Sequence, residues 1–247
     1  MRVEPFTIGS YVHVFNRGNR KMNITRSEKD CWRFMQALRF FNDSHSSVNV
    51  LRLLKSDFNR QADSVFELGW PLNWPQKDPL VKILCYCLAP NHFHLLLKEI
   101  RQNGISRFMQ KVGGGYTKYF NIRYEEVGRL FQSGYRAKLV NDEKYLEYLS
   151  VYIQVFNVMQ LFQGGIRGAE KDIDKAMRFV EQYQFSSYRD FIGLRKSLII
   201  DKDTLGETFA KPEDYKEFVH LVLSDKLSAL KSDFNNFNLN SFNKAMK

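Results

Sequence analysis

The chain is poor in cysteine and proline, and it has no long apolar run. Its 247 residues include three cysteines and six prolines. The cysteines are few and odd in number, and they lack the regular spacing of disulfide-rich domains. This argues against a secreted protein that depends on disulfide bonds for its fold. No window approaches the length of an apolar membrane span, and residues 1–11 lack a charged-then-apolar signal pattern. With 44% hydrophobic residues, we expect a cytoplasmic protein with a sizeable core, in one or two domains.

Acidic residues are also scarce relative to basic ones. The chain has 27 Asp and Glu against 37 Lys and Arg, which gives a formal net charge of +10. Long-range attraction and counterion release make polyanions natural partners of such a protein. The 21 Phe and 12 Tyr residues are interleaved with the cations. Most of these rings fit core positions by their helical spacing, but exposed ones would suit the unstacked bases of single strands.

Histidine is rare too, and two of the five histidines lie one residue apart, at His92 and His94. Residues 81–88 and 92–98 both have strand patterns, with a turn at 89–91 between them. Side chains at i and i+2 of a strand share one face, so both imidazoles can approach one metal ion. The pair predicts a β-hairpin that carries a metal site.

Two structural alternatives remain open for this hairpin. The two histidines could satisfy each other or a backbone carbonyl. Alternatively, Cys85 and Cys87 could join them in a structural zinc site, although Cys-x-Cys spacing is tighter than such sites usually have. We interpret both cysteines as small buried strand residues.

A run of three glycines, at 113–115, invites comparison with a phosphate-binding loop, but no Lys-Ser/Thr follows it. A closely packed or kinked helix over 104–124 is the better interpretation. Other predicted elements are strands at 11–16, 48–54 and 135–140, and helices that begin after Ser27 and around Asp142.

Candidate phosphate or base contacts occur in two places. The basic loop at 16–21 follows the first strand, and its glycine, Gly18, could adopt positive φ and let the loop approach a phosphate backbone. The strand at 135–140 alternates, which places its basic residues on one face. The candidates in these segments, with one from the preceding loop, are Arg17, Arg20, Lys21, Arg129, Arg136 and Lys138.

Four short motifs in order resemble the REP-associated tyrosine transposases, which belong to the HUH single-strand DNA nucleases. They are Val14–Gly18, Pro90–Leu96, Gly128–Ala137 (GRLFQSGYRA) and Tyr148–Ile153. Each motif alone is modest, but their joint order is a strong signal. The resemblance covers roughly residues 8–160 and continues more weakly through 185–191.

The resemblance implies an α+β fold: a ferredoxin-like antiparallel sheet with helices on one side, the HUH nuclease core, plus a C-terminal helical extension. It also implies a transposase or endonuclease that cleaves and rejoins single-stranded DNA at hairpin elements. In such enzymes a divalent metal, Mg²⁺ or Mn²⁺, polarises the scissile phosphate. A tyrosine attacks to give a 5′-phosphotyrosine and a free 3′-hydroxyl. Both monomers and homodimers occur in this group.

By motif position, His92 and His94 would hold the metal and Tyr152 would be the nucleophile, with Tyr148 in reserve. The chain departs from the family pattern after this tyrosine. The expected polar residue four positions later is Phe156, and Asn157 arrives one position late. One residue turns an α-helix by about 100°, so the third ligand is open between Gln154, Asn157 and others.

Residues 1–165 are predicted to form the catalytic domain, and residues 166–247 a helical C-terminal extension that either packs on it or contacts DNA. The principal alternative function is a catalytically impaired, domesticated protein that binds hairpin DNA without cutting it. A zinc-stabilised RNA-binding module is a third possibility.

Overall fold

The structure, a computed structural model, describes residues 6–45, 66, 70 and 74–232. The strands and α-helices of its N-terminal part are, in chain order, β1 Tyr11–Arg17, α1 Glu28–Phe40, β2 Val81–Ala89, β3 His92–Glu99, α2 Gly104–Tyr124, β4 Arg136–Val140 and α3 Glu143–Val151. Helix α3 continues into a π-helix, Tyr152–Phe156, and a last short turn, α4, Asn157–Met159. The predicted strand at 48–54 lies outside the described residues.

The four strands form one antiparallel sheet in the order β2-β3-β1-β4. With α1 between β1 and β2, and α2 between β3 and β4, this is the ferredoxin-like arrangement. The α+β fold class predicted from the sequence is therefore confirmed. Strands β2 and β3 form the predicted hairpin, whose turn is Pro90-Asn91.

The two faces of the sheet pack against different helices. One face supplies Val14, Phe93 and Leu95 to a core shared with α1 and α2. The other face, with Cys85, Cys87 and Leu96, packs against α3 and the π-helix. The resemblance implied helices on one side of the sheet, but helices cover both faces. The second layer consists of α3, the π-helix and the chain that follows them, which bury their apolar residues against Cys85, Cys87 and Leu96.

Local sequence explains the helices of the first layer. Ser27 precedes α1 as its N-cap, and its backbone N–H donates to Asp30 Oδ2 at 2.9 Å, which satisfies one of the free donors at the helix start. In α2, a Cβ at Gly115 would lie 2.5 Å from the ring of Phe41. Gly115 is therefore needed for close packing, as predicted, whereas a Cβ at Gly113 or Gly114 would meet nothing within 4 Å.

The C-terminal part consists of helices that continue the second core. They are α5 Gly165–Lys171, α6 Ile173–Gln182, α7 Tyr188–Phe191, α8 Thr204–Thr208 and α9 Pro212–Ser232. Ala176, Tyr188 and Tyr215 are buried in the same cluster as Leu149 of α3 and Ile153 of the π-helix. None of the helices described is long and apolar enough to cross a bilayer.

Candidate active site

The two histidines of the hairpin lie at the start of β3, on the face that packs against the π-helix. His92 pairs with Arg17 of β1, and His94 pairs with Phe15. Both imidazoles are buried, with His92 8% and His94 2% exposed. Their ring centroids lie 5.2 Å apart, so the alternation of the strand brings the two rings together as the sequence predicts.

Each imidazole uses its Nδ1 atom in a hydrogen bond within the protein. His94 Nδ1 lies 2.9 Å from His13 Nε2, and His92 Nδ1 lies 2.7 Å from Asn91 Oδ1. The Nε2 atoms of His92 and His94 are buried, and no hydrogen-bond partner for them occurs among residues 6–45, 66, 70 and 74–232. Buried polar atoms rarely lack a partner, so this pair of nitrogens requires an explanation.

The three imidazoles of this face are neutral at physiological pH. Burial, and the positive charge of Lys138, lower the pKa of His13 to about 3. Burial lowers the pKa of His92 to about 4, although the adjacent Asn157 favours the protonated form, and burial places the pKa of His94 well below its usual range. Neutral imidazole is the form that binds a metal ion.

The lowered pKa values predict that the metal-free protein loses stability as the pH falls below about 6.5, the ordinary histidine pKa. In this pH range the histidines of the unfolded chain bind protons, whereas the buried histidines of the folded protein stay neutral. Unfolding therefore becomes more favourable as the pH falls. Each of the three histidines contributes about 1.4 kcal/mol per pH unit. For His92 the loss continues to about pH 4. Urea titrations in chelator at pH 7, 6 and 5 measure this slope.

His94→Gln is the matched variant for this measurement because it removes one of the three titrating groups. We expect its slope between pH 6.5 and 5 to be about one third smaller than that of the wild type. This range lies above most carboxylate titrations. Equal stability at pH 7 and pH 5 would contradict the burial of neutral imidazoles in the folded protein.

The side chain of Tyr152 lies over this histidine cluster. Its ring is edge-on to the ring of His94 at a centroid distance of 5.8 Å and to that of His13 at 6.4 Å. Burial raises the pKa of Tyr152 to about 12. The phenol is therefore protonated at neutral pH and needs help to act as a nucleophile.

The π-helix that begins at this tyrosine, Tyr152–Phe156, is a single wide turn, which we call the π-turn. It changes which residue reaches the histidines. The backbone N–H of Asn157 bonds to the carbonyl of Tyr152, five residues earlier, instead of four as in an α-helix. The wider turn absorbs the one-residue offset seen in the sequence. Asn157 therefore occupies the place above Tyr152 that the fourth residue would occupy in a regular α-helix.

The side chain of Asn157 is oriented by the same turn. Its Nδ2 donates to the carbonyl oxygen of Tyr152 at 2.9 Å, and the residue is 1% exposed. Asn157 Oδ1 lies near His92, where it favours the protonated imidazole. This oxygen is buried without a normal hydrogen bond to any residue that the structure describes. Asn157 thus joins His92 and His94 as a third side chain with an unsatisfied polar atom.

Gln154, the other candidate third ligand, has its polar atoms engaged elsewhere. Its Nε2 donates to Tyr215 Oη at 2.7 Å, and its Oε1 accepts from Ser187 Oγ at 3.1 Å. These contacts satisfy both ends of the Gln154 amide. Among the two residues named from the sequence, the geometry therefore favours Asn157.

The two strand cysteines do not extend the site to a zinc centre. Burial raises the pKa of the Cys85 and Cys87 thiols well above the usual range, which disfavours the thiolate form that binds metals. In the described part of the chain, no group of three His, Cys, Asp or Glu side chains is placed to hold a metal ion. A site that includes an asparagine oxygen is outside this set.

The histidine face is the face of the sheet that carries His13, His92 and His94. The basic residues predicted to contact DNA lie along one side of this face. Arg136 pairs with Phe15 and Lys138 with His13, so both side chains lie on the histidine face of the edge strand β4. The loop after β1 is joined to the loop before β4, because Asn19 N donates to the Leu130 carbonyl at 2.8 Å. This brings the exposed Arg20, Lys21 and Arg129 into neighbouring loops.

The prediction of positive φ at Gly18 is wrong. Gly18 has φ −59°, and the left-handed residues of this loop are Arg20 and Lys21, at φ 51° and 65°. A Cβ on Gly18 would lie 2.0 Å from the Met22 carbonyl oxygen. The glycine is needed for this close backbone approach, and the loop turns two residues later.

One residue of the cluster was missed from the sequence. His13 lies in β1, where a single histidine in an apolar strand has no partner nearby in sequence. Only the pairing of β1 with β3 brings its ring within hydrogen-bond distance of His94. The signal available in the sequence was its position on the same strand face as Phe15 and Arg17.

Comparison with known proteins gives a partial match to one family. No curated protein sequence matches the chain. A solved structure described as "Structure of the REP associates tyrosine transposase bound to a REP hairpin" is 13% identical, with a TM-score of 0.42, over 81% of this chain and 88% of that one. Residues 75–155 match the family described as "Transposase IS200 like". The matched segment includes His92, His94 and Tyr152 and ends just before the π-turn closes, so in these residues the chain is similar to the IS200-like transposases.

Proposed function

We propose that the protein is a metal-dependent transposase that nicks and rejoins single-stranded DNA at hairpin elements through a 5′-phosphotyrosine. One observation carries the proposal. Three buried atoms that make no normal hydrogen bond within the described part of the chain, His92 Nε2, His94 Nε2 and Asn157 Oδ1, belong to side chains that lie together beside Tyr152. The match of residues 75–155 to the IS200-like family supports the same chemistry.

The donor set fits a divalent cation. His92, His94 and Asn157 would hold it, because their imidazole Nε2 nitrogens and amide oxygen carry lone pairs that make no normal hydrogen bond to the residues that the structure describes. Imidazole suits transition metals and carbonyl oxygen suits Mg²⁺ and Mn²⁺, so Mn²⁺ is the best match for the mixed set. When bound, such a cation offsets the negative charge that builds on the phosphate oxygens.

Tyr152 would be the nucleophile. Its Oη forms a bond to phosphorus, the bond from phosphorus to the 3′ oxygen breaks, and the proton lost by the phenol is balanced by protonation of the 3′ oxygen. The DNA is left with a 5′-phosphate on Tyr152 and a free 3′-hydroxyl. The covalent bond retains the energy that is needed to rejoin the strand. Because burial raises the pKa of Tyr152 to about 12, the phenol is protonated before the attack, and its proton must be removed during the reaction.

DNA binding is assigned to the basic residues beside the site. Arg17, Arg136 and Lys138 lie on or at the end of strands next to the histidines, while Arg20, Lys21 and Arg129 lie in the adjoining loops. We assign phosphate contacts to them because their side chains border one face of the sheet. We also propose that residues 1–165 carry the chemistry and that 166–247 form an extension.

Incubation of the protein with labelled single-stranded hairpin DNA from its own genomic neighbourhood, with and without Mn²⁺, tests the function. We expect a covalent protein–DNA band on a denaturing gel only when metal is present. Tight binding of the hairpin without a band would instead support the domesticated DNA-binding protein.

A variant with both Arg136→Ala and Lys138→Ala should bind the hairpin less tightly than the wild type. The slope of log binding constant against log salt concentration should be lower in magnitude by about two.

His13 is expected to support metal binding through His94. A hydrogen bond to the second nitrogen fixes the tautomer and orientation of a ligating imidazole, and loss of such a partner typically weakens metal affinity about 10–100-fold. We expect His13→Leu to show this loss in a Mn²⁺ titration followed by electron paramagnetic resonance. His13→Gln, which retains an acceptor, should lose less. Wild-type affinity in His13→Leu would show that the hydrogen bond to His94 has no role in metal binding.

A further inference from the structure

The segment after α6 crosses the sheet edge and reaches the π-turn. Phe185 accepts a backbone hydrogen bond from Leu88 at 2.9 Å, and Ser187 N donates to the Tyr86 carbonyl at 3.0 Å. Residues 185–187 therefore pair with β2 along its outer edge. Ser186 and Ser187 are both fully buried between this strand and the π-helix.

Both serines hold Gln154, the central residue of the π-turn. Ser186 Oγ donates to the Gln154 backbone carbonyl at 2.9 Å, and Ser187 Oγ donates to Gln154 Oε1 at 3.1 Å. Side-chain groups that enter the hydrogen-bond ladder are a known cause of local helix distortion. The turn is thus anchored through its backbone and its side chain from the same edge segment.

Tyr215 of α9 holds the same residue from the other side. Gln154 Nε2 donates to Tyr215 Oη at 2.7 Å, and Tyr215 Oη lies 3.0 Å from Ser150 Oγ. Ser150 uses its own hydrogen in a 2.6 Å bond to the Glu147 carbonyl, so Tyr215 is the donor to Ser150. Tyr215 is 0% exposed and its ring lies 4.6 Å from that of Phe191. A fixed chain of hydrogen bonds therefore runs from the π-turn to the last described helix.

We propose that Ser186, Ser187 and Tyr215 are positioning residues that hold the π-turn in the form that places Tyr152 and Asn157 over the histidine pair. This rests on the proposed function for its consequence in catalysis. The C-terminal helices then contribute to the active site, because their contacts hold the π-turn in its wide form. Without these contacts the segment would relax toward a regular α-helix, in which Asn157 rotates away by about 100°.

Full-length Ser186→Ala and Tyr215→Phe test the positioning role. Each removes one hydroxyl, and neither residue touches the proposed metal or DNA. Tyr116→Phe is the matched control: Tyr116 is equally buried, its hydroxyl donates to the Ile24 carbonyl at 2.7 Å, and it lies in the core on the opposite sheet face. The readouts are amide hydrogen exchange of residues 152–160 in metal-free protein and the dissociation constant for Mn²⁺.

We expect both test variants to exchange faster than Tyr116→Phe over residues 152–160 and to bind Mn²⁺ about tenfold more weakly, as for lost outer contacts of a metal site. If Tyr215→Phe does not fold, Ser186→Ala decides alone. Exchange in 152–160 equal to that of Tyr116→Phe would overturn the proposal. Wild-type protein that binds no Mn²⁺ would count against the proposed function, while the exchange comparison would still decide the positioning role.

Discussion

Replacement of Tyr152 by Phe is expected to abolish the covalent protein–DNA adduct and to reduce cleavage by at least about a thousandfold, the scale on which loss of a nucleophile acts in other enzymes. The ring stays, so its edge contact with His94 at 5.8 Å is retained. Only the attacking oxygen is lost. Hairpin binding should therefore remain close to wild type, and single-turnover cleavage on a denaturing gel measures the loss.

Tyr148→Phe is the matched control for this experiment. Tyr148 lies one helical turn earlier, and burial also raises its pKa to about 12. The two phenols thus have similar acidity, and they differ in position relative to the histidines. Tyr148→Phe should cleave at nearly the wild-type rate. An adduct that survives Tyr152→Phe and disappears with Tyr148→Phe would assign the nucleophile to the reserve tyrosine.

Loss of a group that hydrogen-bonds to a metal ligand typically weakens metal binding roughly 10–100-fold. Asn157→Leu removes a proposed ligand itself and is expected to weaken Mn²⁺ binding by more than this. Leucine has a similar shape and no oxygen, so the proposed donor set keeps its two imidazoles and loses the amide oxygen of Asn157. Asn157→Asp should bind Mn²⁺ at least as tightly as the wild type, since carboxylate oxygen is a good Mn²⁺ ligand. Mn²⁺ titration of the two variants gives the comparison.

Gln154→Leu is the control that distinguishes loss of the proposed third ligand, Asn157, from loss of buried hydrogen bonds in the same turn. It removes a buried amide two residues from Tyr152 whose atoms bond to Tyr215 and Ser187. We expect it to lower the unfolding free energy by about 1–3 kcal/mol. Its effect on Mn²⁺ should be smaller than that of Asn157→Leu. Equal Mn²⁺ affinity for Asn157→Leu and wild type would rule out the ligand assignment.

The four strands of the described sheet and the histidine pair could be predicted from local sequence patterns, while the strand at 48–54 stays a prediction. His92 and His94 share a face whatever the rest of the fold does. The bounds of α2, Gly104–Tyr124, follow in the same way from apolar spacing. The resemblance to a family supplied the order of strands in the sheet, which local patterns do not determine.

The π-turn could not be predicted, because its cause lies far away in the chain. Read as an α-helix, the segment places Asn157 on the wrong side, and the offset looks like a lost ligand. The contacts that favour the wider turn come from Ser186 and Tyr215. Similarly, His13 gains its role only when β1 pairs with β3. The cytoplasmic location stays a prediction.

Peptide mass spectrometry of the DNA-linked protein tests the central claim most directly. Wild-type protein would be incubated with hairpin DNA and Mn²⁺, digested with protease and nuclease, and searched for a nucleotide attached to a tyrosine. The account predicts a 5′-phosphate on Tyr152 that forms only with metal. A modification on Tyr148 or another tyrosine, or none although hairpin and Mn²⁺ are both bound, would contradict it.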